Sequence, residues 1–296
     1  MKILLFGKGG QVGWELQRSL APLGDLVALD ARSSEFCGDL SDLDGIAQTV
    51  RAVRPDLIVN AAAYTAVDKA ESEPERAHLI NADAPGVLAR EAQRLGGRMV
   101  HYSTDYVFDG SGTRPWTEAD EPAPLSVYGA SKLAGERHVS SQCANHLIFR
   151  TSWIYAARGG NFAKTMLRLA QERDRLTVID DQFGAPTGAE LLADVTAHSI
   201  RAAQRDPALS GLYHLTAAGE TNWNMYARFV LTKAQEIKPQ LALKALAVEP
   251  VPTSGYPTPA ARPLNSRLDC ARLESAFDLR LPPWQNGVER MLHEML

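Results

Sequence analysis

Short apolar runs alternate with longer amphipathic stretches through the first half of the chain. We interpret the almost uninterrupted apolar runs as strands, at residues 3–6, 26–29, 57–60, 99–103 and 147–151. Such continuous hydrophobicity is typical of parallel strands that are covered on both faces. Helical spacing of apolar residues follows these runs, at residues 11–20, 43–53, 75–95 and 128–140. The alternation predicts an α/β fold with a Rossmann-type, doubly wound parallel sheet.

The regular alternation weakens after about residue 153. Further elements are predicted as helices at 161–173, 189–203, 223–234 and 285–296, and as strands at 176–179 and 212–215. We therefore predict a dinucleotide-binding domain over residues 1–155, with elements near 189–215 returning to it. Residues 156–296 would form mainly a smaller α+β region that binds substrate.

The segment 248–263 reads VEPVPTSGYPTPAARP. Proline lacks a backbone N–H, so this segment can be neither a regular helix nor a central strand. We interpret it as an ordered loop.

Composition narrows the class of protein without naming a reaction. The chain has 296 residues, of which 45% are hydrophobic and 22% charged, as in an ordinary globular protein. The formal net charge is −4 and no basic tract occurs, so nucleic acid is not an expected partner. No apolar run approaches the roughly 20 residues of a membrane span. With three scattered cysteines, expected to be reduced thiols, the sequence favours a cytoplasmic protein without zinc.

A glycine-rich turn follows the first predicted strand. Gly7, Gly10 and Gly13 are spaced GxxGxxG and lead directly into the first helix, beginning with Gln11 and Val12. Glycines let the backbone approach a pyrophosphate closely, and the helix N-terminus presents partial positive charge to that anion. A turn without a ligand remains the alternative, but the position between a strand and a helix favours a dinucleotide site.

Two residues after the second predicted strand indicate opposite cofactor preferences. Asp30 can accept a hydrogen bond from an adenosine ribose hydroxyl, which favours NAD. Arg32 can pair with a 2′-phosphate, which favours NADP. Use of either NADPH or NADH is therefore expected. Asp39 could reach the adenine, although an interaction with Ser41 at a helix start is nearly as good an interpretation.

Tyr128 and Lys132 form a YxxxK pattern on a predicted helix. Side chains four residues apart lie on one helix face, so the lysine ammonium can sit beside the phenol. A free tyrosine has a pKa of about 10, and a nearby cation in a partly desolvated pocket can lower it. We therefore predict that Lys132 lowers the pKa of Tyr128. A surface helix pair is the alternative interpretation of this spacing alone.

The fourth predicted strand runs into the polar residues Ser103, Thr104 and Asp105. The carboxyl ends of parallel strands are where α/β sheets bind ligands. Thr104 could donate to a substrate carbonyl oxygen, and Asp105 could accept from a sugar hydroxyl. With the glycine turn and the YxxxK pair, these residues predict a nicotinamide-dependent ketone reductase.

At this point the chain resembles the extended short-chain dehydrogenase/reductase family over essentially its whole length. The resemblance rests on the GxxGxxG turn, NAAAYTAVDKAE from Asn60, STDYVFDG from Ser103 and YGASKLAGE from Tyr128. In the second half, the stretches FRTSWIYA, DQFGAPTGAELL and YPTPAARPLNSRL are similar to the members that reduce a dTDP-linked 4-keto sugar. The resemblance implies a reductase of dTDP-rhamnose biosynthesis for cell-surface polysaccharide, with a dTDP-sugar substrate and NADPH or NADH as cofactor.

The resemblance also implies roles for individual residues. Tyr128 would donate the proton and Lys132 would hold the nicotinamide ribose, while Thr104 would polarise the keto group. Further cofactor contacts are implied at the following residues: Gly10, Gln11, Val12, Asp30, Asp39, Leu40, Ala63, Tyr64 and Thr65. Asp105 and Trp153 would contact the sugar. We add Arg262 as a candidate pyrophosphate clamp, because a guanidinium can bind two oxygens.

Several alternatives remain open from the sequence. The resemblance hints at magnesium, with Glu15 and Glu190 as candidates, but acids early in a helix also favour the helix dipole, and we assign no metal site. A homodimer is compatible with the chain. A dehydratase would carry an acid after Asp105, where this chain has Tyr106. An epimerase, or a regulatory subunit that binds NADP without turnover, would share the glycine turn.

Overall fold

The computed structural model describes residues 1–245 and 247–296. The first half alternates strands and helices as the apolar pattern predicts. Its strands are β1 (Lys2–Phe6), β2 (Asp25–Leu29), β3 (Leu57–Asn60), β4 (Arg98–Thr104) and β5 (His146–Thr151). Its helices are α1 (Gln11–Leu20), α2 (Leu43–Val53), α3 (Val67–Ala70), α4 (Pro74–His78), α5 (Ala84–Arg94) and α6 (Val127–Gln142).

The second half contains shorter strands between longer helices. Its strands are β6 (Ile154–Tyr155), β7 (Leu176–Ile179), β8 (Phe183–Gly184), β9 (Thr187–Gly188), β10 (Gly211–His214), β11 (Thr221–Asn222) and β12 (Val248–Val251). Its helices are α7 (Phe162–Glu172), α8 (Ala189–Arg205), α9 (Trp223–Ile237), α10 (Ala271–Phe277) and α11 (Trp284–Met295). The predicted long elements are present with bounds within a few residues. The short strands and α10 carry too few residues to show a period in the sequence.

The central sheet has six parallel strands in the order β10-β5-β4-β3-β1-β2. This arrangement confirms the predicted Rossmann-type α/β class. The sheet order places the ends of β1, β3 and β4 side by side, so the residues that follow these strands meet at one edge. Strand β10, although late in the chain, pairs with β5 from Gly211 opposite Leu147 to His214 opposite Arg150.

Alternate residues of each strand pack into two apolar layers. Ile3 and Leu5 of β1 lie in the layer shared with α1 and α8, whereas Leu4 and Phe6 lie in the layer shared with α2 and α5. All four side chains have no exposed surface. The sheet is therefore covered on both faces, which explains why its strands are apolar without alternation.

A third apolar cluster organises the second half around α7, α9 and α11. Here the interpretation of residues 248–263 as an ordered loop is wrong for the first four residues. Val248–Val251 form β12, which pairs in parallel with β7. Pro250 is tolerated because this sheet has only two strands, so β12 leaves one side without a strand partner.

One predicted helix is divided. The sequence pattern at residues 75–95 gives α4 and α5, joined by a π-helical segment, Leu79–Asp83. π segments often lie at functional sites, because the extra residue redirects side chains. Across the described residues, no helix is long and apolar enough to cross a membrane.

Candidate active site

The glycine turn lies between β1 and α1, as predicted. A Cβ atom on Gly13 would stand 1.9 Å from the Gly7 carbonyl oxygen, so the helix can approach the turn this closely only with glycine. Gly10 caps α1 without a side-chain hydrogen bond, and the amides of Gln11 and Val12 follow in the first helical turn. These amides and the helix N-terminus form a cradle suited to a pyrophosphate.

The predicted adenosine-end residues lie beside this turn. Asp30 accepts a hydrogen bond from the Arg32 amide at 2.9 Å. Its Oδ2 lies 3.4 Å from the position a Gly9 side chain would take, so the carboxylate faces the glycine turn. The Arg32 side chain is exposed. Asp30 therefore lies beside the glycine turn, and Arg32 follows it two residues later.

Asp39 and Leu40 are arranged differently from each other. The Asp39 carboxylate accepts from the Ser41 amide at 2.9 Å and from the Ser41 hydroxyl at 2.8 Å. This is the local interaction that the sequence offered as the alternative to an adenine contact. Leu40 is buried among the α2 side chains of the sheet core. Of this pair, only the half-buried Asp39 retains side-chain surface that a nucleotide could contact.

Thr104 and Tyr128 come together at the end of β4. The Thr104 hydroxyl donates to Asp105 Oδ1 at 3.0 Å and accepts from the Tyr106 amide at 3.2 Å. Helix α6 approaches closely because its first turn contains Gly129, whose Cβ would stand 2.2 Å from the Tyr106 carbonyl oxygen. The helix therefore holds Tyr128 against the Thr104 loop, with the Tyr106 and Tyr128 rings edge to face at 5.5 Å.

The pKa of Tyr128 departs from the sequence expectation. Burial and the Asp105 charge raise it to about 12, while hydrogen bonding with Thr104 opposes the shift. The predicted lowering by Lys132 is therefore wrong for this arrangement of the site. The reason is geometric: Lys132 Nζ donates to the Tyr102 carbonyl oxygen at 2.6 Å, inside the sheet edge. At neutral pH the phenol is protonated, which is the state that a proton donor requires.

Lys132 belongs to a buried chain of polar groups that sequence analysis missed. Its Nζ lies 3.3 Å from Nε2 of His101, whose Nδ1 lies 3.3 Å from Nδ2 of Asn60. Burial lowers the pKa of Lys132 to about 8, and the charge of Glu136 opposes that shift. His101 could have been noticed as an imidazole inside an apolar strand, MVHYS.

Asn81, in the π segment, is a second residue that sequence analysis missed. Its Oδ1 accepts from the Tyr64 amide at 2.8 Å, and its Nδ2 donates to the Tyr64 carbonyl at 3.0 Å and to Ser131 Oγ at 3.0 Å. Asn81 thus fixes the loop after β3 against α6. Tyr64 is buried, while Ala63 is half-buried and Thr65 exposed. Since the Tyr64 backbone is already paired, a cofactor can reach this loop more readily through Ala63 and Thr65.

Asp105 carries a buried carboxyl group at this site. Its side chain is 2% exposed, and Oδ2 has no hydrogen-bond partner among the described residues. Burial raises the pKa of Asp105 to about 6, against hydrogen bonds from Ser266 and Thr104. An unpaired, buried acceptor is suited to bind a hydroxyl donor.

Arg262 lies near this cluster but is not a free clamp. Its Nη2 binds Asp68 Oδ2 at 2.8 Å, and its Nη1 donates to the Ala260 carbonyl at 3.3 Å. Burial and the Asp105 charge raise the pKa of Tyr106, and the nearby Arg262 charge opposes that shift. The acid partner Asp68 was not predicted, because it lies 194 positions away along the chain.

Trp153 packs against Trp223 of α9. Its ring stacks on Trp223 with centroids 3.7 Å apart, and its backbone has a φ of 49°. A bulky residue rarely adopts this left-handed conformation, and such strain often accompanies function. Both rings are half-buried, and Trp153 lies two residues after the end of β5.

The magnesium candidates lie apart from this cluster. Glu15 pairs with Arg18 at 3.5 Å and Glu190 with Arg290 at 3.3 Å, so each carboxylate already has a cation partner. Within residues 1–245 and 247–296, no group of three or more histidine, cysteine, aspartate or glutamate side chains is placed to hold a metal ion.

Comparisons with known proteins identify a family for this architecture. The family model described as RmlD substrate binding domain matches residues 1–296. A protein of Escherichia coli strain K12 named dTDP-4-dehydrorhamnose reductase is 61% identical, over 100% of this chain and 98% of its own length. A protein of that name from Burkholderia thailandensis is 47% identical over 100% of this chain.

Solved structures agree with the sequence relatives. The dTDP-4-dehydrorhamnose reductase of Bacillus anthracis, solved in complex with NADP, is 35% identical with a TM-score of 0.89 over 99% of each chain. The Thermus thermophilus UDP-glucose 4-epimerase, solved with NAD, has a TM-score of 0.78 at 21% identity. At that identity the epimerase supports the fold and nothing further.

Proposed function

The chain belongs to the RmlD substrate binding domain family, and from this premise we propose how its residues divide the work of one reaction. The reaction is the NAD(P)H-dependent reduction of dTDP-4-dehydrorhamnose in dTDP-rhamnose biosynthesis. The observation that carries the division is the contact between the Thr104 loop and α6, which brings a protonated phenol to a hydroxyl.

We assign the proton transfer to Tyr128. When bound, the reduced nicotinamide supplies the hydride that adds to the keto carbon. Tyr128 gives its proton to the oxygen that becomes the sugar hydroxyl. The Thr104 hydroxyl, which donates to Asp105 Oδ1 in this structure, would turn to donate a hydrogen bond to the same oxygen. Hydride and proton together convert the ketone into the alcohol. The raised pKa of about 12 keeps Tyr128 protonated until negative charge develops on that oxygen.

Residues around the glycine turn would hold the cofactor. The amides of Gln11 and Val12 face the pyrophosphate position, and Asp30 faces the turn from the end of β2. Glycine at position 13 lets α1 begin close against the turn, because a Cβ there would stand 1.9 Å from the Gly7 carbonyl oxygen. Lys132 would reach the nicotinamide ribose from beneath Tyr128.

The sugar would lie between Asp105 and the Trp153 stack. Asp105 Oδ2 offers a buried acceptor to a sugar hydroxyl. The ring pair of Trp153 and Trp223 offers an apolar face on which a deoxysugar can rest. Arg262 stands at the outer side, where a diphosphate could compete with Asp68 for the guanidinium.

The test is Tyr128→Phe assayed by loss of nicotinamide absorbance with dTDP-4-dehydrorhamnose and NADPH. We expect kcat to fall by roughly 10²- to 10⁴-fold, the usual contribution of a general acid. The NADPH Kd should change little, because the ring stays in place. Tyr213→Phe is the matched control: Tyr213 is a buried tyrosine of β10 whose hydroxyl donates to the Leu209 carbonyl. Near wild-type turnover by Tyr128→Phe would contradict the assignment.

A further inference from the structure

We propose that Gln182 is a positioning residue for the sugar, because its side-chain amide fixes the ring of Trp223 and, through the ring stack, that of Trp153. Gln182 lies between β7 and β8, directly before β8. The proposal rests on the sugar contact given to Trp153 under the proposed function. It deepens that function by naming the residue that holds the ring pair of Trp153 and Trp223 in place.

The Gln182 side chain bridges two groups that are distant in sequence. Its Oε1 accepts from Trp223 Nε1–H at 3.1 Å, and its Nε2 donates to Thr253 Oγ1 at 3.1 Å. The residue is 4% exposed. Bulk water therefore cannot readily replace either hydrogen bond, and the residue at this position has to satisfy both partners.

The partners at both ends fix which way the amide of Gln182 faces. The indole N–H of Trp223 can only donate. At the other end, the Thr253 hydroxyl donates to Asp181 Oδ1 at 2.5 Å, so the Thr253 oxygen is left to accept. A side-chain amide offers an oxygen to one partner and an NH₂ group to the other. Neither an ionised carboxylate nor an aliphatic side chain can do both.

The Trp223 ring depends on this hydrogen bond for its position within its own plane. Its aromatic neighbours are Trp153, with centroids 3.7 Å apart, and Phe162, with centroids 4.6 Å apart. Aromatic pairs tolerate a range of offsets, so these contacts alone let the ring slide or turn in its plane. A hydrogen bond at Nε1 is directional and removes that freedom. Gln182 therefore determines where the Trp223 ring lies against Trp153.

The Trp153 ring is confined from a second side by the same segment. A Cβ on Gly184 would stand 2.9 Å from Trp153 Cε2 and 3.2 Å from the Ser266 Cβ, so glycine lets the β8 backbone lie against the ring. Ser266 is also a hydrogen-bond partner of Asp105, the proposed acceptor for a sugar hydroxyl. Gln182 and Gly184 thus hold the two rings beside the group that would bind the sugar.

The hydrogen bonds of Gln182 also reach the loop that carries Arg262. The Thr253 amide lies 2.9 Å from each carboxylate oxygen of Asp181, and further along this loop Arg262 binds Asp68. The loop is therefore attached at two places that do not need Gln182. Removing the Gln182 amide should release the Trp223 ring while Asp181 still holds the loop, which separates the two effects in an experiment.

The first experiment replaces Gln182 by methionine, which has a similar size but lacks both hydrogen-bonding groups. In Gln182→Met we expect the KM of dTDP-4-dehydrorhamnose to rise roughly 3- to 10-fold, the usual worth of one hydrogen bond. The KM of NADPH should stay unchanged, because these hydrogen bonds do not reach the glycine turn. A KM effect without a kcat effect is typical of a lost binding contribution.

A conservative variant separates the ring contact from general structural damage. In Gln182→Glu, a side-chain oxygen accepts from Trp223 Nε1–H in either protonation state, and only the ionised form loses the donor to Thr253. The sugar KM should therefore stay close to the wild-type value. Gln171→Met is the control: Gln171 is a glutamine of α7 whose amide donates to the Leu167 carbonyl at 3.0 Å. It should leave the sugar KM unchanged.

Circular dichroism reads the ring pair without any substrate. Two stacked indoles couple in the far ultraviolet, and the difference between wild type and Trp223→Phe gives the couplet of this pair among five tryptophans. The couplet should weaken in Gln182→Met and persist in Gln182→Glu and Gln171→Met. In the Trp223→Phe background, Gln182→Met should add no further rise in sugar KM, because its N–H partner is already gone.

The proposal requires both the spectroscopic and the kinetic change. An unchanged couplet or an unchanged sugar KM in folded Gln182→Met would overturn it, and so would an equal KM rise in Gln182→Glu. If Gln182→Met does not fold, Trp223→Phe removes the same hydrogen bond from its donor end, and a wild-type sugar KM in that variant would overturn the proposal. If wild-type protein reduces no 4-keto sugar, the proposed function fails before any variant is compared.

Discussion

Asp105 shows at the scale of one residue how burial can prepare a group for its ligand. The carboxyl has only one of its two oxygens paired, and its pKa is raised to about 6. A charge held in this way costs folding free energy whenever the pH exceeds its pKa. The same unpaired oxygen is what a sugar hydroxyl would bind, so stability is lost where binding is gained.

Asp105→Asn should therefore stabilise the protein in a pH-dependent way. The folded pKa lies above the unfolded value of about 3.9, so the carboxyl's contribution is full below that value and is lost as the pH rises through about 6. We expect Asn to raise the free energy of unfolding at pH 8, by on the order of 3 kcal/mol, and to change it little at pH 4. Denaturant unfolding at both pH values measures the difference.

The control for this variant is Asp109→Asn, four residues along the chain. Asp109 is a half-buried carboxyl whose pKa is lowered by hydrogen bonds from Ser111. Its replacement should give no stabilisation at pH 8. An Asp105→Asn effect of equal size at pH 4 and pH 8 would show that packing, and not the charge, is responsible.

The residues that sequence analysis found differ physically from those it missed. Tyr128 and Lys132 are joined by one helical turn, so their spacing alone predicts the shared face. His101 and Asn81 meet partners 17 to 50 positions away, across strands and helices, and no local pattern encodes those pairings. The pKa of Tyr128 was predicted in the wrong direction because spacing does not reveal how deeply a helix buries its side chains.

At the scale of elements, the π segment connects two functional parts of the chain. Asn81 joins the loop after β3 to α6 with three hydrogen bonds. The hydrophobic pattern predicts one helix through this region, since a single extra residue hardly disturbs the apolar face. The division becomes visible only from the partners of Asn81. Similarly, residues 248–251 were predicted as part of a loop because proline excludes a central strand. They form β12, since proline is tolerated in an edge strand.

Asn81→Ala should weaken the attachment of the loop after β3 to α6. The change leaves the Tyr64 amide and carbonyl without partners in a buried place, at about 1–3 kcal/mol for each unpaired group. We expect a lower free energy of unfolding and a higher KM for NADPH, because the loop that borders the cofactor loses its support. Ser131→Ala is the graded control, since it removes only one of the three links. Equal losses in both variants would argue against the clamp on Tyr64.

For the whole molecule, the link between Arg262 and Asp68 ties the C-terminal loop to the first half of the chain. The pair joins residues 194 positions apart at 2.8 Å. The Arg262 side chain is 22% exposed, so part of the guanidinium remains accessible. The Arg262 guanidinium can serve only to hold the two halves together through Asp68, or it can also bind a diphosphate. The two roles predict different kinetics.

Arg262→Ala should raise the KM of the dTDP-sugar at least tenfold more than that of NADPH if the guanidinium binds the sugar diphosphate. Asp68→Asn keeps the guanidinium but removes its competitor, so the sugar KM should stay level or fall. If both single variants and the double variant raise the sugar KM equally, the ion pair only holds the two halves together and does not bind the diphosphate. Steady-state kinetics of the three variants form the required cycle.

The architecture of the whole molecule was predictable because a parallel sheet buried on both faces needs strands that are apolar throughout. The prediction that elements near 189–215 return to the first domain agrees with the pairing of β10 with β5, although the apolar run of β10 does not by itself say which sheet it joins. The division between residues 1–155 and 156–296 stays a prediction. What lay beyond sequence analysis was the closing of the site by distant pairs such as Asp68 and Arg262, whose geometry depends on how both halves fold.

The late position of β10 also has a consequence for how the protein is made. During synthesis, β5 is complete at Thr151, but its outer edge is covered only when Gly211–His214 have emerged. At translation rates of about 5–20 residues per second, that edge stays uncovered for roughly 3 to 13 seconds. An uncovered strand edge is a template for pairing with another chain. The nascent chain is therefore most prone to aggregate, and most dependent on chaperones, during this interval.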